Sequence, residues 1–316
     1  MVWSPAELEA LLRLAFDEAC AGSAEARSEV TSGDDPLHKP YTIPDIRGKR
    51  VLVVGVGGGC DIISAFALAQ LLNDGQPAKL VYANTKSRVL EPLEHLSAHV
   101  LKLPPDRIVL SPHAHAHRTT LIDQSVPRGD DGCPFIFLLP DDDDESCDAF
   151  VAELRQMAFD VVFSVDTGAD SIVTQATSGP DGRDQRMMRL LARLGRPWFH
   201  VAVSPGCDGE ASVSQIQDAV RTLCSTGSYL GCTPVAPMLP TMRELAAPLR
   251  STRTPNIIVE ACSRDLDATS DDELLTVPRE IRPEIPRRWL SVALVFDLNA
   301  GGLDEPFLAT AADGRS

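Results

Sequence analysis

Residues 51–61 read VLVVGVGGGCD, and the prediction of the fold starts from this stretch. A run of Val and Leu leads into three consecutive glycines, and an aspartate follows where a helix begins. A near-continuous aliphatic run is typical of a strand that is covered on both faces. Glycines at the carboxyl end of such a strand let the backbone approach a ligand closely. The stretch therefore predicts a strand, a glycine loop and a helix that together open an α/β domain.

The same alternation continues along the chain. We predict strands at 50–56, 79–83, 107–110, 135–139, 160–165, 198–203 and 290–296, with a weaker candidate at 257–261. Helical patterns fill 61–72, 145–157, 184–194, 212–223 and 241–249. Strands that alternate with helices predict a Rossmann-like, doubly wound α/β fold, with a mostly parallel sheet and helices on both faces. Residues 1–46 are expected to form an N-terminal helix and loop extension, and residues 47–316 a single Rossmann-like domain.

Composition limits the partners of the protein. The 316 residues carry a formal net charge of −16, which argues against nucleic acid and against an anionic membrane surface. No apolar run reaches the ~18 residues of a membrane span, and the N-terminus lacks the pattern of a signal peptide. The eight cysteines are scattered without a CxxC motif, as in a reduced cytoplasmic protein. We therefore expect a cytoplasmic protein with a small-molecule ligand, and the sequence is compatible with a homo-oligomer.

The glycine loop is the first candidate site. Its predicted ligand-contacting residues are Gly55, Gly57, Gly58, Gly59 and Asp61. Cys60 replaces the last glycine of the dinucleotide fingerprint, and Asn84 ends the next strand instead of an acidic residue, so NAD is not favoured. The Asp61 carboxylate can bond the free amide groups that a phosphate would use. The loop then suits a hydroxyl-rich or cationic group, or a phosphate bridged by a metal ion; alternatively, Asp61 only caps its helix.

Three further segments place carboxylates at or near strand ends. They read VDTGADS (165–171), SGPDGRD (178–184) and SPGCDGE (204–210). Because parallel strands bring such loops to one edge, we expect a single site, where clustered carboxylates either bind a cation or transfer protons. The predicted catalytic residues are Asp166, Asp170 and Asp208, and Ser178 and Gly209 are predicted to contact the ligand. A divalent ion such as magnesium is expected on some of Asp61, Asp166, Asp170, Asp208 and Glu210.

These loops also carry two resemblances. The glycine loop with Asp61, the VDTGADS loop and the GCDGE loop resemble the family catalogued as domain of unknown function 1152 over about residues 47–230. That resemblance implies a Rossmann-like domain and these shared positions, but no reaction; Ala169 stands where a second glycine is expected. VLVVGVGGGCD and FDVVFSVDTGAD are also similar to aminopropyltransferases, in which an aspartate would take a proton from an amine. Asn84 departs from that pattern.

Other signals are weaker. The three histidines of PHAHAH (112–117) could bind zinc, but a surface loop is favoured. His200 lies in an apolar strand and is expected to be a hydrogen-bonded core residue. Cys60 and Cys207 each precede an aspartate that would raise the thiol pKa, which argues against a cysteine nucleophile.

The sequence thus favours a cytosolic enzyme acting on a small polar metabolite, a nucleotide or phosphorylated compound, with a divalent cation held by strand-end carboxylates. The alternatives are an S-adenosyl-type group transferase and a non-catalytic sensor of a small ligand.

Overall fold

A computed structural model describes residues 41, 44–75, 78–85, 94–95, 100–102, 135–138, 144–173, 183–263, 274–277 and 284–299. The predicted N-terminal helix, the strand at 107–110, the histidines at 113–117 and Ser178 lie outside the described residues.

The described elements alternate in type along most of the chain. The strands are β1 (Arg50–Gly55), β2 (Lys79–Thr85), β3 (Glu94–His95), β4 (Val100–Lys102), β5 (Phe135–Leu138), β6 (Val161–Thr167), β7 (Trp198–Val203), β8 (Tyr229–Pro234), β9 (Leu274–Thr276), β10 (Glu284–Pro286) and β11 (Val292–Asp297). The α-helices are α1 (Asp61–Gly75), α2 (Asp144–Gln156), α3 (Arg183–Ala192), α4 (Val213–Ser225), α5 (Leu239–Ala246) and α6 (Thr254–Ser263). Short 3₁₀ turns lie at Asp170–Ile172, Ala236–Met238 and Arg287–Ser291.

Nine strands form one sheet in the order β3-β4-β5-β2-β1-β6-β7-β11-β8. From β5 to β7 the neighbouring strands are all parallel. Strand β11 is antiparallel to both β7 and β8, so β8 again shares the direction of β7. Strands β9 and β10 form a separate antiparallel pair. The molecule is therefore α/β, with a mostly parallel central sheet.

The middle of the sheet is the core. Every residue of β6 is buried, and β1 is buried after Arg50. Helix α1 packs against β1, β2 and β6, and Ile62, Ile63 and Ala65 on this helix are fully buried. Strands that are covered on both faces are apolar along their whole length, which explains the continuous Val and Leu runs. This packing fixes the first turn of α1 beside the carboxyl ends of β1 and β6.

The sequence prediction needed correction at α6 and at β8, and the short strands β3, β4, β9 and β10 were not predicted either. Residues 257–261 were expected as a weak strand, but they lie in α6, where Pro255 stands near the start and Ile258 and Ala261 bury one face at helical spacing. Strand β8 was missed because Gly231 and Pro234 interrupt its apolar pattern. The strand predicted at 198–203 is confirmed. Among the described residues, no helix combines the length and apolar character needed to cross a membrane.

Candidate functional site

The site lies where β1, β6 and β7 end. Asp61 opens α1 directly after the glycine loop, Asp166 is the penultimate residue of β6, and Asp208 follows β7 by five residues. All three side chains are buried. Parallel neighbours deliver their carboxyl ends to one edge, so the three loops meet as the sequence predicted.

Asp61 is held by backbone amides from two loops. Its Oδ2 accepts from the Gly57 N–H at 2.8 Å, and its Oδ1 accepts from the Thr167 N–H at 3.1 Å. The carboxylate therefore ties the glycine loop to the end of β6. At Gly55 a Cβ would lie 2.8 Å from the Asp61 Cβ, which explains why this position has no side chain. Both donors lie outside α1, so these hydrogen bonds join two loops and do not cap the helix in the way that the alternative interpretation expected.

Asp166 is fixed by the turn that follows β6. Its Oδ2 accepts from the Ser171 N–H at 3.0 Å and from the Ser171 hydroxyl, and the Ala169 amide also bonds the carboxylate. Ala169 adopts φ 74°, a left-handed conformation that glycine adopts more easily. The expected second glycine is thus replaced by an alanine that keeps a glycine-like backbone.

The carboxylates fall into two groups that share Asp166. Oxygens of Asp61, Asp166 and Asp184 lie within 4.8 Å of one another, and so do oxygens of Asp166, Asp170 and Asp208. Asp184, in the first turn of α3, was not among the predicted ligands. The sequence analysis singled out the SGPDGRD segment, which ends in Asp184, but assigned no role to Asp184. Gly57 admits Asp184, because a Cβ there would lie 2.4 Å from its Oδ2.

The third loop contributes Asp208 to one of these groups, and the charge of Glu210 acts on Asp166, Asp170 and Asp208. The Glu210 N–H donates to the Asp208 Oδ1 at 3.0 Å, and Glu210 belongs to neither group of three. Gly168 makes room for Asp208, since a Cβ at Gly168 would lie 1.8 Å from the Asp208 Oδ2. Gly209 has φ 71° and donates its N–H to the Gly206 carbonyl oxygen, so it shapes the turn. Gly58, at φ 77°, likewise shapes the glycine loop.

Burial raises the pKa of every aspartate in the two groups for which a shift is resolved. Burial and then the charges of Asp166 and Asp184 raise the pKa of Asp61 well above its usual value. Burial raises the pKa of Asp166 to about 6, against the opposing hydrogen bonds from Ser171. Burial and the charge of Asp166 raise the pKa of Asp208 to about 7. Burial and the neighbouring carboxylates also raise the pKa of Asp170. Several negative charges are therefore unstable here without a counter-charge.

One oxygen in the cluster has no amide or hydroxyl donor. Asp170 is 2% exposed, and within the described part of the chain its Oδ2 is buried without such a donor, while its carboxyl group is hydrogen-bonded to the Asp208 carboxyl, which requires a shared proton. Buried polar atoms are normally satisfied, so an unsatisfied carboxylate oxygen needs an explanation. It belongs to the group formed with Asp166 and Asp208, and three carboxylates at this spacing are hard oxygen ligands of the kind that Mg²⁺ and Ca²⁺ take.

His200 and Cys207 have the surroundings that the sequence predicted. His200 is fully buried and hydrogen-bonded to Ser164 and Ser171, as a core residue should be. Burial, and then the Asp208 charge, raise the pKa of the Cys207 thiol well above its usual value. Cys207 is thus a poor nucleophile.

Comparison with known proteins adds no family. No family model matches the chain, and no match was found among curated proteins or solved structures. The two resemblances drawn from the sequence therefore stay predictions.

Proposed function

We propose that this protein is a cytoplasmic, divalent-cation-dependent enzyme that acts on a small anionic metabolite, a nucleotide or another phosphorylated compound. The observation that carries the proposal is the Oδ2 of Asp170, which has no amide or hydroxyl donor and is buried among the carboxylates of Asp166 and Asp208. A cation bound by these three residues would satisfy that oxygen and offset their mutual repulsion.

The strand order supports a ligand at this position. From β5 to β7 the order β5-β2-β1-β6-β7 corresponds to 3-2-1-4-5 of a Rossmann-like sheet. The chain first builds outward from β1 through β2 and then returns to place β6 on the other side of β1. Ligands of such sheets bind outside the carboxyl ends of the strands at this reversal. Strands β1 and β6 flank this reversal. Asp61 lies in the segment after β1, and Asp166 lies at the end of β6.

The charge of the site indicates how an anion would bind. Asp61 already accepts the Gly57 and Thr167 amides, so a phosphate cannot use those donors. A phosphate placed beside unscreened carboxylates would be repelled. A Mg²⁺ ion between the acidic cluster and the phosphate removes that repulsion, and Mg²⁺ commonly binds through one or two carboxylates together with substrate phosphates.

The six described cysteines are free thiols, which fits a reducing cytoplasm.

Isothermal titration with MnCl₂ tests the cation. We expect the wild-type protein to bind Mn²⁺ and Asp170→Asn to bind it at least tenfold more weakly, a loss of about 1.4 kcal/mol. The matched control is Asp218→Asn, which removes one carboxylate from the exposed face of α4. Equal Mn²⁺ affinity in wild type and Asp170→Asn, or no binding by the wild type, contradicts the cation site.

A thermal-shift series tests the metabolite. ADP with Mg²⁺ should raise the Tm further than Mg²⁺ alone, because a ligand that binds only the folded state stabilises it, whereas ADP with EDTA should not. A shift by ADP that is equal with and without the metal would remove the bridging role of the cation.

A second candidate is transfer of a group to an amine, as the resemblance to aminopropyltransferases implies. It is favoured by the pKa of Asp166, raised by burial to about 6, which is close enough to neutrality for a general base. Buried carboxylates also attract an ammonium group. Asn84, which replaces the acidic residue of that family, is buried and pairs with Gly55 beside the glycine loop. A Tm increase with spermidine in EDTA, and none with Mn²⁺, would favour this candidate.

A further inference from the structure

A chain of buried side chains leads away from Asp166 through the sheet. The Trp198 indole N–H donates to the Ser164 hydroxyl at 2.7 Å. The Ser164 oxygen lies 2.9 Å from the Nδ1 of His200, and the Nε2 of His200 lies 3.0 Å from the Ser171 hydroxyl. The Ser171 hydroxyl in turn donates to the Asp166 Oδ2. All five residues are at most 2% exposed.

The donors in this chain allow one arrangement when Asp166 is ionised. The single Ser171 hydroxyl proton goes to Asp166, so the Ser171 oxygen can only accept from His200. The proton on His200 must therefore lie on Nε2, and Nδ1 accepts from the Ser164 hydroxyl. The Ser164 oxygen then accepts from Trp198, which is always a donor. Each hydrogen bond points toward Asp166.

The surroundings of His200 favour a neutral ring. Burial lowers the pKa of His200 to about 3, and its ring stacks near Phe296 with centroids 6.2 Å apart. A neutral imidazole has one donor and one acceptor, which is the number that this chain uses.

We propose that His200 is a positioning residue: as the Nε2–H tautomer it holds the Ser171 hydroxyl toward Asp166 and so orients that carboxylate for the ligand. This inference rests on the proposed function, because it takes Asp166 to be one of the residues that bind the cation. A histidine far from the ligand would then control the geometry of a carboxylate that contacts it, as outer-shell partners of metal ligands commonly do.

The tautomer can be measured without any ligand. In protein labelled with ¹⁵N-histidine, with the His200 signal assigned by its loss in His200→Gln, long-range proton–nitrogen correlation spectra distinguish the two neutral tautomers. We expect protonated Nε2 and unprotonated Nδ1 at pH 7.5 and above. The Nδ1–H tautomer or a charged imidazolium would overturn the proposal, whether or not the protein binds a cation.

A matched pair of substitutions tests the positioning role. Gln can present an N–H near the position of the His200 Nε2, whereas the shorter Asn reaches only the position of Nδ1. By titration with MnCl₂, His200→Asn should bind Mn²⁺ roughly tenfold more weakly than His200→Gln, as expected for loss of a partner that orients a ligand. Thermal melts of both variants show whether each is folded. Equal Mn²⁺ affinity in the two folded variants would overturn the proposal, and wild-type protein that binds no Mn²⁺ would instead contradict the cation site.

Discussion

Replacing Asp208 by Asn should remove part of the pH dependence of stability that the buried carboxylates impose. The pKa of Asp208 is raised from 3.8 to about 7 in the folded protein. The folded state therefore keeps a proton that the unfolded state loses above pH ~4. The free energy of unfolding that depends on this proton is fully present below the unfolded pKa and is lost as the pH rises through about 7.

The size of the effect follows from the shift. A change of about three pKa units, at about 1.4 kcal/mol per unit, corresponds to roughly 4 kcal/mol for this carboxyl. Asn cannot ionise, so it escapes this loss. In EDTA, the stability of Asp208→Asn relative to wild type should increase by about 2–3 kcal/mol between pH 4.5 and pH 8, because roughly 1 kcal/mol is already lost at pH 4.5; the lower figure allows for repulsion shared with Asp166 and Asp170.

Urea unfolding at pH 4.5, 6, 7 and 8, followed by far-UV circular dichroism, measures this difference. Asp218→Asn, which removes an exposed carboxylate, serves as the control. A difference between Asp208→Asn and wild type that does not change with pH would refute the reasoning. If a cation fills the cluster, adding Mg²⁺ at pH 8 should stabilise the wild type more than the variant.

Three further outcomes follow from the loops. Gly168→Ala should destabilise the protein by roughly 2–3 kcal/mol or more, because its Cβ would overlap Asp208. The control Gly227→Ala is also at positive φ but has open space around it, so it should cost about 1–2 kcal/mol. Equal losses of stability in urea unfolding would contradict this. Ser212→Ala should cost about 1 kcal/mol, since it removes the capping box of α4, and an unchanged Tm would contradict this. Asp166→Asn should lower Mn²⁺ affinity at least tenfold with the fold intact, and unchanged affinity would reassign this residue.

The sequence predicted the parts of the fold that depend on local pattern. Strand 198–203 and the first turn of α1 at Asp61 follow from apolar runs and a glycine loop, which are read from neighbouring residues. Strand β8 could not be predicted in this way, because its pairing with β11 compensates for Gly231 and Pro234. Tertiary contacts of this kind override local preference.

The same limit applies to the site. That the loops after β1, β6 and β7 meet was predictable, because parallel strands share an edge. The sequence could not predict that Asp184 approaches Gly57. It also could not predict that His200 contacts Ser171, 29 residues away along the chain. Such pairings depend on side-chain directions that only the folded chain defines.

The contact between Asp61 and the glycine loop has a consequence for competition among ligands. A carboxylate attached to the loop it occupies acts at an effective concentration of at least the order of millimolar. It also competes without losing translational freedom when it binds. Free phosphate at millimolar concentration therefore competes with the Asp61 side chain for the Gly57 and Thr167 amides. A bare anion must displace the Asp61 carboxylate before it can accept these two amides, although glycine loops of this kind are usually sites for phosphate.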